Sequence, residues 1–252
     1  CYKGVGTFTT YNHSIAEFLF SADWAPSDSA EGGGSVGAAI FIFGSVITCA
    51  LALAIATPFS LATAIFMTEI SPELGKRFVQ PAVEIFVGIP SVVYGWIGLT
   101  ILVPLIKNIF NLRFGFSVLA AGIVLAVMIF PTITSLAADA LRSIPKSYRA
   151  ASYGLGATRW QTIAKVVVPA AVTGLMTAVI LGLARAFGEA LAVAMVIGKM
   201  RAFPTSLLSP TNNLTAAIAA DMGGAMEGSE YNIALWTMAL MLFIISLACI
   251  FA

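Results

Sequence analysis

Five long runs without a charged residue constrain this chain more than any other feature of its sequence. Each is near or above the roughly 20 residues that an α-helix needs to cross a bilayer. The runs cover residues 32–68, 85–106, 114–138, 166–184 and 231–252. None has the apolar/polar alternation of barrel strands. The sequence therefore predicts an all-α integral membrane protein with five visible spans, the fourth continuing through Arg185 and Glu189 to about Gly198.

The composition agrees with a membrane location. Hydrophobic residues make up 59% of the chain and charged residues 10%, against about a quarter charged in soluble domains. The net charge of +1 argues against nucleic acid as a partner, because such proteins present a strongly basic surface. Cys1, Cys49 and Cys249 are too far apart to ligate one metal, so we predict no metal site.

Basic residues predict the orientation of the chain. Seven of the thirteen lie in two loops, at Lys76, Arg77 and within residues 140–165. The positive-inside rule places both loops in the cytoplasm. Residues 1–35 then form an extracytoplasmic segment, followed by a transmembrane domain over residues 36–252. The turn at 107–113 and the loop at 199–230 also lie outside.

The sequence of the extracytoplasmic segment indicates its local structure. Ser14 and Glu17 have the spacing of a capping box for a short helix. The rings of Phe18, Phe20 and Trp24 suit the membrane interface, although packing within a surface loop would place them equally well. His13, Asp221, Glu227 and Glu230 are expected in solvated outer segments. Because residue 1 is already outside and no signal-peptide pattern is present, we also expect a sixth helix upstream.

The cytoplasmic loop at about 140–165 is long and rich in small and basic residues. Its pattern predicts one short helix over 146–154 and a second over 158–168, with Gly154 and Gly156 permitting the sharp turn between them. Pro169 falls where the second helix enters the bilayer, where a kink is tolerated. An exposed pair of helices with small side chains suits close contact with a partner protein.

This loop resembles the EAA motif of ABC importer permeases, which is Glu-Ala-Ala, three residues, Gly, nine residues and Ile-x-Leu-Pro. Ala150, Ala151 and Ser152 match its start, Gly156 its glycine, and residues 166–169 its end, with both spacings kept. The resemblance implies that these residues and Pro169 couple to an ATPase subunit. The motif's Glu is Ala150 here, so its salt bridge is absent or is replaced by Arg149.

Further segments resemble the permease subunits of phosphate-specific importers, of the PstC type: "EIFVGIPSVVYGW", "LGLARAFGEALAVAMVIG" and "PTSLLSPTNNLTAAIA". The resemblance implies the fold of a type I ABC importer in the cell membrane, embedded in lipid. It also implies a PstA-type companion permease, two copies of an ATPase subunit and an external phosphate-binding protein. The chain has no phosphate-binding loop, so ATP and Mg belong to the ATPase subunit, and the chain itself is neither an enzyme nor bound to a cofactor.

Two charges in the fourth span are the main site candidates. Arg185 and Glu189 are four residues apart and would share one helix face as an ion pair. An unpaired charge there would cost about 3 kcal/mol or more, so the pair is either structural or functional. For a phosphate permease we favour Arg185 as a bidentate phosphate ligand balanced by Glu189. Ser91, at a Gly/Pro break in the second span, is a further candidate for the substrate path.

Two other transport functions fit this pattern, and two further classes of function do not. A permease for sulfate or molybdate is the main alternative, since an Arg/Glu pair does not measure the size of an anion. The PstA-type half of a phosphate importer shares the "GIPSVVYG" and "ARAFGE" segments. An intramembrane enzyme would need a nucleophile and a base on facing helices, but the spans contain no Ser/His, Cys/His or paired-carboxylate set. An ion-driven carrier should lack a docking loop, which is the strongest feature of this chain.

Overall fold

The computed structural model describes residues 3–29 and 31–251. Cys1, to which we assign no chemistry, lies outside the described residues. The α-helices in chain order are α1 Gly6–Thr9, α2 Ile15–Phe20, α3 Ala39–Ile65, α4 Pro72–Leu74, α5 Gln80–Gly88, α6 Ser91–Ile97, α7 Val103–Ile109, α8 Val118–Arg142, α9 Lys146–Gly154, α10 Arg159–Thr162, α11 Val168–Ala170, α12 Val172–Gly188, α13 Leu191–Val196, α14 Leu214–Asp221 and α15 Glu230–Phe251.

Wider π-helical turns continue several of these helices. They cover Phe66–Ile70, Gly75–Val79, Gly98–Leu102 and Ile163–Val167. A 3₁₀ turn at Lys3–Val5 precedes α1. The two short strands, β1 Trp24–Ala25 and β2 Ser35–Val36, pair antiparallel, with Trp24 opposite Val36.

Four helical segments in the described part of the chain are long and apolar enough to cross a membrane. They are Ala39–Ile70, Ser91–Ile109, Val118–Arg142 and Glu230–Phe251. A fifth span is supplied by Arg159–Ala170 and Val172–Gly188, which meet at an angle of 67°. With this bent pair counted as one span, the described residues contain the five predicted spans. The expected kink follows Pro169 by two residues, at Ala171.

The prediction for the fourth span is wrong in one respect, because the span does not continue as one helix to Gly198. Helix α12 ends at Gly188, Glu189 and Ala190 are non-helical, and α13 begins at Leu191. The physical reason is local: an oxygen of the Glu189 carboxylate accepts a hydrogen bond from the Ala192 amide at 3.3 Å, which satisfies a free N–H at the start of α13.

The described residues form two compact units. Unit 1 comprises those of Cys1–Ala52, Pro90–Leu125 and Ala186–Ala252, and unit 2 those of Leu53–Ile89 and Ala126–Arg185. The core of unit 1 joins the amino-terminal segment to α14 and α15. Its buried side chains are Phe18, Trp24, Val36, Ala38, Phe41, Leu214, Ala217, Ala234, Leu235 and Met238. Phe18 and Trp24 are thus core residues rather than interfacial rings, and only Phe20 is exposed.

Glu230 corrects a second expectation, because it is buried rather than solvated. Its side chain has no exposed surface. One carboxylate oxygen lies 2.6 Å from His13 Nε2, and the other accepts from the amides of Ser27 at 2.7 Å and Gly34 at 2.9 Å. The first residue of α15 therefore holds three separate points of the amino-terminal segment. This arrangement follows from the rule that a buried charge needs several hydrogen-bond partners.

His13 makes this attachment dependent on pH. Partial burial lowers the pKa of the imidazole, but hydrogen bonds to Glu230 and Glu17 outweigh burial and raise it above 6.5. A raised pKa gives stability that is complete below 6.5 and is lost as the pH rises through the value in the folded protein. We therefore expect amide exchange of residues 13–36 to accelerate on raising the pH, beyond the intrinsic base catalysis of exchange. In the variant His13→Asn, amide exchange of these residues should accelerate with pH only as much as intrinsic base catalysis requires. An equal additional acceleration in both proteins would show that His13 is not the group responsible.

Glu17 is not part of the predicted capping box. Ser14 does cap α2, since its side chain accepts from the Ala16 amide. The Glu17 carboxylate instead lies 3.2 Å from His13 Nδ1. The Glu17 carboxylate therefore pairs with the imidazole ring of His13 instead of reaching back to cap the helix.

Candidate functional site

Arg185 lies near the end of α12 in unit 2, and its partner there is a hydroxyl group. Its Nη1 donates to Oγ1 of Thr132 on α8. Arg185 is therefore anchored by a neutral acceptor, the hydroxyl group of Thr132.

Glu189 and Ser91 lie in unit 1, at the starts of two packed helices. Glu189 precedes α13, and its backbone carbonyl accepts from Thr215 Oγ1 at 2.8 Å. Ser91 is the first residue of α6, directly after the break at Ile89 and Pro90, and it is half-buried. The two helices approach closely, because a Cβ at Gly95 would lie 2.8 Å from the Cα of Ala192.

The predicted i to i+4 ion pair of Arg185 and Glu189 depends on one helix carrying both residues. That helix ends between them, at Gly188. Each side chain has its hydrogen-bond partner within its own unit, Thr132 for Arg185 and the Ala192 amide for Glu189. The spacing argument is therefore wrong for this pair. Their assignment to the substrate path stays a prediction.

The candidate coupling loop folds as expected into two helices in unit 2. Helix α9 has the predicted bounds. The second helix begins with Thr158 as its N-cap, in a full capping box with Gln161. Gly156, at a φ of +82°, supplies the turn between them, while Gly154 is still helical. The buried hydroxyls of Ser152 and Thr162 lie 2.9 Å apart and join the two helices.

Arg149 binds within the chain rather than pointing to solvent. Its Nε donates to Glu69 Oε2 at 3.1 Å, and its Nη2 donates to the other carboxylate oxygen. It also donates to the carbonyls of Ile144 at 2.8 Å and Leu141 at 3.1 Å. The hydrogen bond to Glu69 raises the pKa of the guanidinium above its usual range, against the effect of partial burial. Arg149 thus ties α9 to the end of the first span.

Arg159 makes a second connection to the same turn. Its Nη2 donates to the backbone carbonyls of Glu69 and of Ile70, the latter at 2.8 Å. These carbonyls lie at the end of a helical segment, where they lack partners of their own. Both helices of the loop are therefore held to residues 66–70, at the end of the segment that continues α3.

A cavity of about 650 Å³ opens beside α9. We call it the basic cavity, and its walls are Met67, Thr68, Glu69, Pro72, Lys76, Arg142, Ile144, Lys146, Arg149, Ala150 and Tyr153. Ala150 and Ala151 are exposed. Beyond the cavity, Leu155 is 90% exposed and Trp160 is 67% exposed. These features suit a surface that another protein covers.

Two contacts of these sites were not anticipated by sequence reasoning. Glu69 and Thr132 lie 80 and 53 residues from the arginines that they bind. Glu69 had one available signal, as the first charge after the longest apolar run. Thr132 had none, because a threonine in a transmembrane helix usually bonds to its own backbone. Among residues 3–29 and 31–251, no three His, Cys, Asp or Glu side chains cluster as a metal ion would need.

Comparison with known proteins gives consistent matches over most of the chain. Residues 56–252 match the family described as binding-protein-dependent transport system inner membrane component. The probable ABC transporter permease protein YqgH of Bacillus subtilis is 54% identical over 97% of this chain and 78% of its own length. The phosphate transport system permease protein PstC of Haemophilus influenzae is 36% identical over 96% of this chain and 81% of its own length.

The fold has a counterpart among solved structures. An inward-facing structure of the MetNI methionine ABC transporter superimposes with a TM-score of 0.60 at 21% identity, over 82% of this chain and 87% of that one. At this identity the likeness describes the fold, which is the transmembrane fold of type I ABC importers. The chain is accordingly a multi-pass protein of the bacterial cell membrane, and it belongs to the family of permease subunits of binding-protein-dependent ABC importers, with the PstC type among its relatives.

Proposed function

We propose that this chain is the PstC-type permease subunit of an ATP-driven importer of inorganic phosphate. The observation that carries the proposal is the similarity to proteins named as PstC phosphate permeases, 36% and 38% identical over 96% and 95% of the chain. An intramembrane arginine with a neutral anchor suits an anionic substrate. A PstA-type permease would complete the path, an external binding protein would deliver phosphate, and two ATPase subunits would bind ATP and Mg.

In this proposal Arg185 is the residue that meets phosphate. A guanidinium donates two parallel hydrogen bonds to two phosphate oxygens, and its charge is permanent. Thr132 holds it by a single neutral hydrogen bond, which an anion can replace at small cost. Ser91 contributes a hydroxyl to the path. Glu189 keeps the empty path near neutral and weakens phosphate binding enough for release.

The ATPase subunits are coupled to the transmembrane helices through the loop at about 140–165, which is connected to α3 and to α12. The ATPase subunits dock on the face that carries Ala150, Ala151 and Leu155. Movement of that face reaches α3 through Arg149 and Arg159, which hold Glu69 and Ile70. It reaches α12 through the bend that follows Pro169.

The function is tested by uptake into proteoliposomes that contain the complete importer. Labelled phosphate and labelled sulfate are supplied with the binding protein, with ATP inside the vesicles and without it. We expect phosphate uptake that requires ATP and little sulfate uptake. Preference for sulfate or molybdate would assign the chain to another oxyanion, and uptake without ATP would contradict an ABC importer.

Replacing Arg185 by lysine should reduce phosphate uptake about tenfold or more, since the charge remains but the bidentate hydrogen bonds are lost. Assembly of the complex, followed by size-exclusion chromatography, should be unchanged. The control is Arg113→Lys, at an exposed arginine outside the candidate spans, and it should transport normally. Normal uptake by Arg185→Lys would exclude the bidentate role, and failure of assembly would make Arg185 structural.

A further inference from the structure

We infer that the basic cavity beside α9 is a docking pocket for an acidic segment of the ATPase subunit. This inference rests on the proposed function only in that an ATPase subunit docks on this loop. It adds the charge of the contact and the residues that carry it. It assigns recognition to Lys76 and Lys146 rather than to the positions of the EAA motif.

The first step is the balance of charge in the cavity. Glu69 is the one carboxylate among the wall residues described, and Arg149 occupies both of its oxygens. Arg142 has partial compensation from Asp139, whose carboxylate lies 3.4 Å away and does not belong to the cavity wall. Within residues 3–29 and 31–251, neither Lys76 nor Lys146 has a carboxylate within ion-pair distance, and both are exposed. The cavity therefore has an uncompensated positive charge.

The second step concerns the substitution at the start of the motif. Ala150 forms part of the cavity wall, so its methyl group leaves open the space that a glutamate would fill. A glutamate there would also have compensated the neighbouring lysines. Since this chain supplies no carboxylate at that point, a complementary partner has to bring its own. Charge complementarity of this kind sets partner choice and binding register.

The third step is the position of the cavity next to an apolar surface. Tyr153 belongs to the cavity and is half-exposed, and Leu155 follows on the same loop with 90% of its surface exposed. An apolar centre with charged groups at its edge is the usual composition of a protein interface. A protein segment with one or two carboxylates beside an apolar residue fits both features. The headgroup of an anionic lipid would match the charge alone.

Zero-length cross-linking tests the acidic contact directly in the assembled importer. A water-soluble carbodiimide joins a lysine amine to a carboxylate only when the two are in contact. We expect mass spectrometry to find Lys76 or Lys146 joined to an Asp or Glu of the ATPase subunit. The double variant Lys76→Arg with Lys146→Arg retains both charges but has no amine, so it should bind the ATPase subunit normally and lose the cross-link. Absence of the cross-link in the unmodified complex would overturn the inference.

Charge reversal supplies an independent measurement. The double variant Lys76→Glu with Lys146→Glu should weaken retention of the ATPase subunit about tenfold, because like charges then face each other. The matched control Lys107→Glu reverses an exposed lysine on the opposite predicted side and should have no effect. Both measurements are made in nanodiscs of phosphatidylcholine alone and with added phosphatidylglycerol. An effect that appears only with phosphatidylglycerol would assign the cavity to lipid and overturn the inference, as would unchanged retention.

These readouts separate the inference from the proposed function. Retention of the ATPase subunit and cross-linking do not depend on which anion is transported. An importer that prefers sulfate would refute the phosphate assignment and leave the docking result intact. An importer that transports phosphate but shows no cross-link at the cavity would refute the docking inference and leave the phosphate assignment intact.

Discussion

Replacing Glu230 by glutamine is expected to destabilise the folded protein by about 3 kcal/mol, the lower end of the range for breaking a buried charged network. The glutamate side chain is completely buried and accepts from two amides and a histidine. A glutamine has one acceptor oxygen and one amino group. If the oxygen faces the amides of Ser27 and Gly34, the amino group faces the imidazolium of His13, donor against donor. The opposite rotamer leaves both backbone amides facing an amino group.

The effect of Glu230→Gln is measured as the apparent melting temperature of the detergent-solubilised protein, together with amide exchange of residues 13–36. The control is Glu227→Gln, three residues earlier. Its carboxylate is 85% exposed and pairs with Lys3 at the surface, so its removal should leave the melting temperature unchanged. Equal stability of the two variants would show that the buried network does not hold the amino-terminal segment.

Replacing Glu69 by glutamine is expected to cost about 2 kcal/mol of local stability, less than for a fully buried pair because the site is partly open to solvent. The Arg149 side chain is 20% exposed and that of Glu69 is 8% exposed. In this variant the partly buried guanidinium keeps one amide oxygen and its backbone carbonyls as acceptors. It loses the negative charge and faces an amino group in place of the second oxygen, so α9 is less firmly held to residues 66–70. We expect ATP hydrolysis to continue while phosphate uptake per ATP falls severalfold.

Uptake and ATP hydrolysis measured on the same proteoliposomes test this expectation. Glu73→Gln, which alters an exposed carboxylate on α4, should leave the ratio unchanged. The exchange of Glu69→Arg with Arg149→Glu should recover part of the loss, and the coupling energy from the double-mutant cycle measures the pair itself. An unchanged ratio of uptake to hydrolysis in Glu69→Gln would show that this connection does not carry coupling.

Local features of this protein were predictable from sequence with good accuracy. Helix α9 has the predicted bounds, and Gly156 forms the turn that its position in the motif required. Such features depend on a few consecutive residues, through capping and backbone freedom. The break after Gly188 was not predicted, because the run around it is apolar apart from Arg185 and Glu189, and a single glycine does not by itself end a helix.

For the candidate sites, the residues themselves were predictable from sequence but their hydrogen-bond partners were not. Arg185 and Glu189 were predicted as site residues from their charges within a span, and Arg149 from its place beside the motif, but the partner of each was predicted wrongly or left open. Thr132, the Ala192 amide and Glu69 are those partners. Glu230 was expected in a solvated loop and lies in the core of unit 1. A charge in an apolar environment signals that a partner exists, yet it does not identify that partner.

The sequence by itself determined the membrane location, the approximate positions of the spans and the two helices of the candidate coupling loop. Transfer of a segment into a bilayer depends on the summed composition of about 20 consecutive residues, and the motif depends on spacing along one loop. Only the tertiary structure decided the contacts of Arg149, Arg185 and Glu230. Their partners lie 80, 53 and 217 residues away along the chain. Contacts at such separations arise from the packing of whole helices, which no local pattern records.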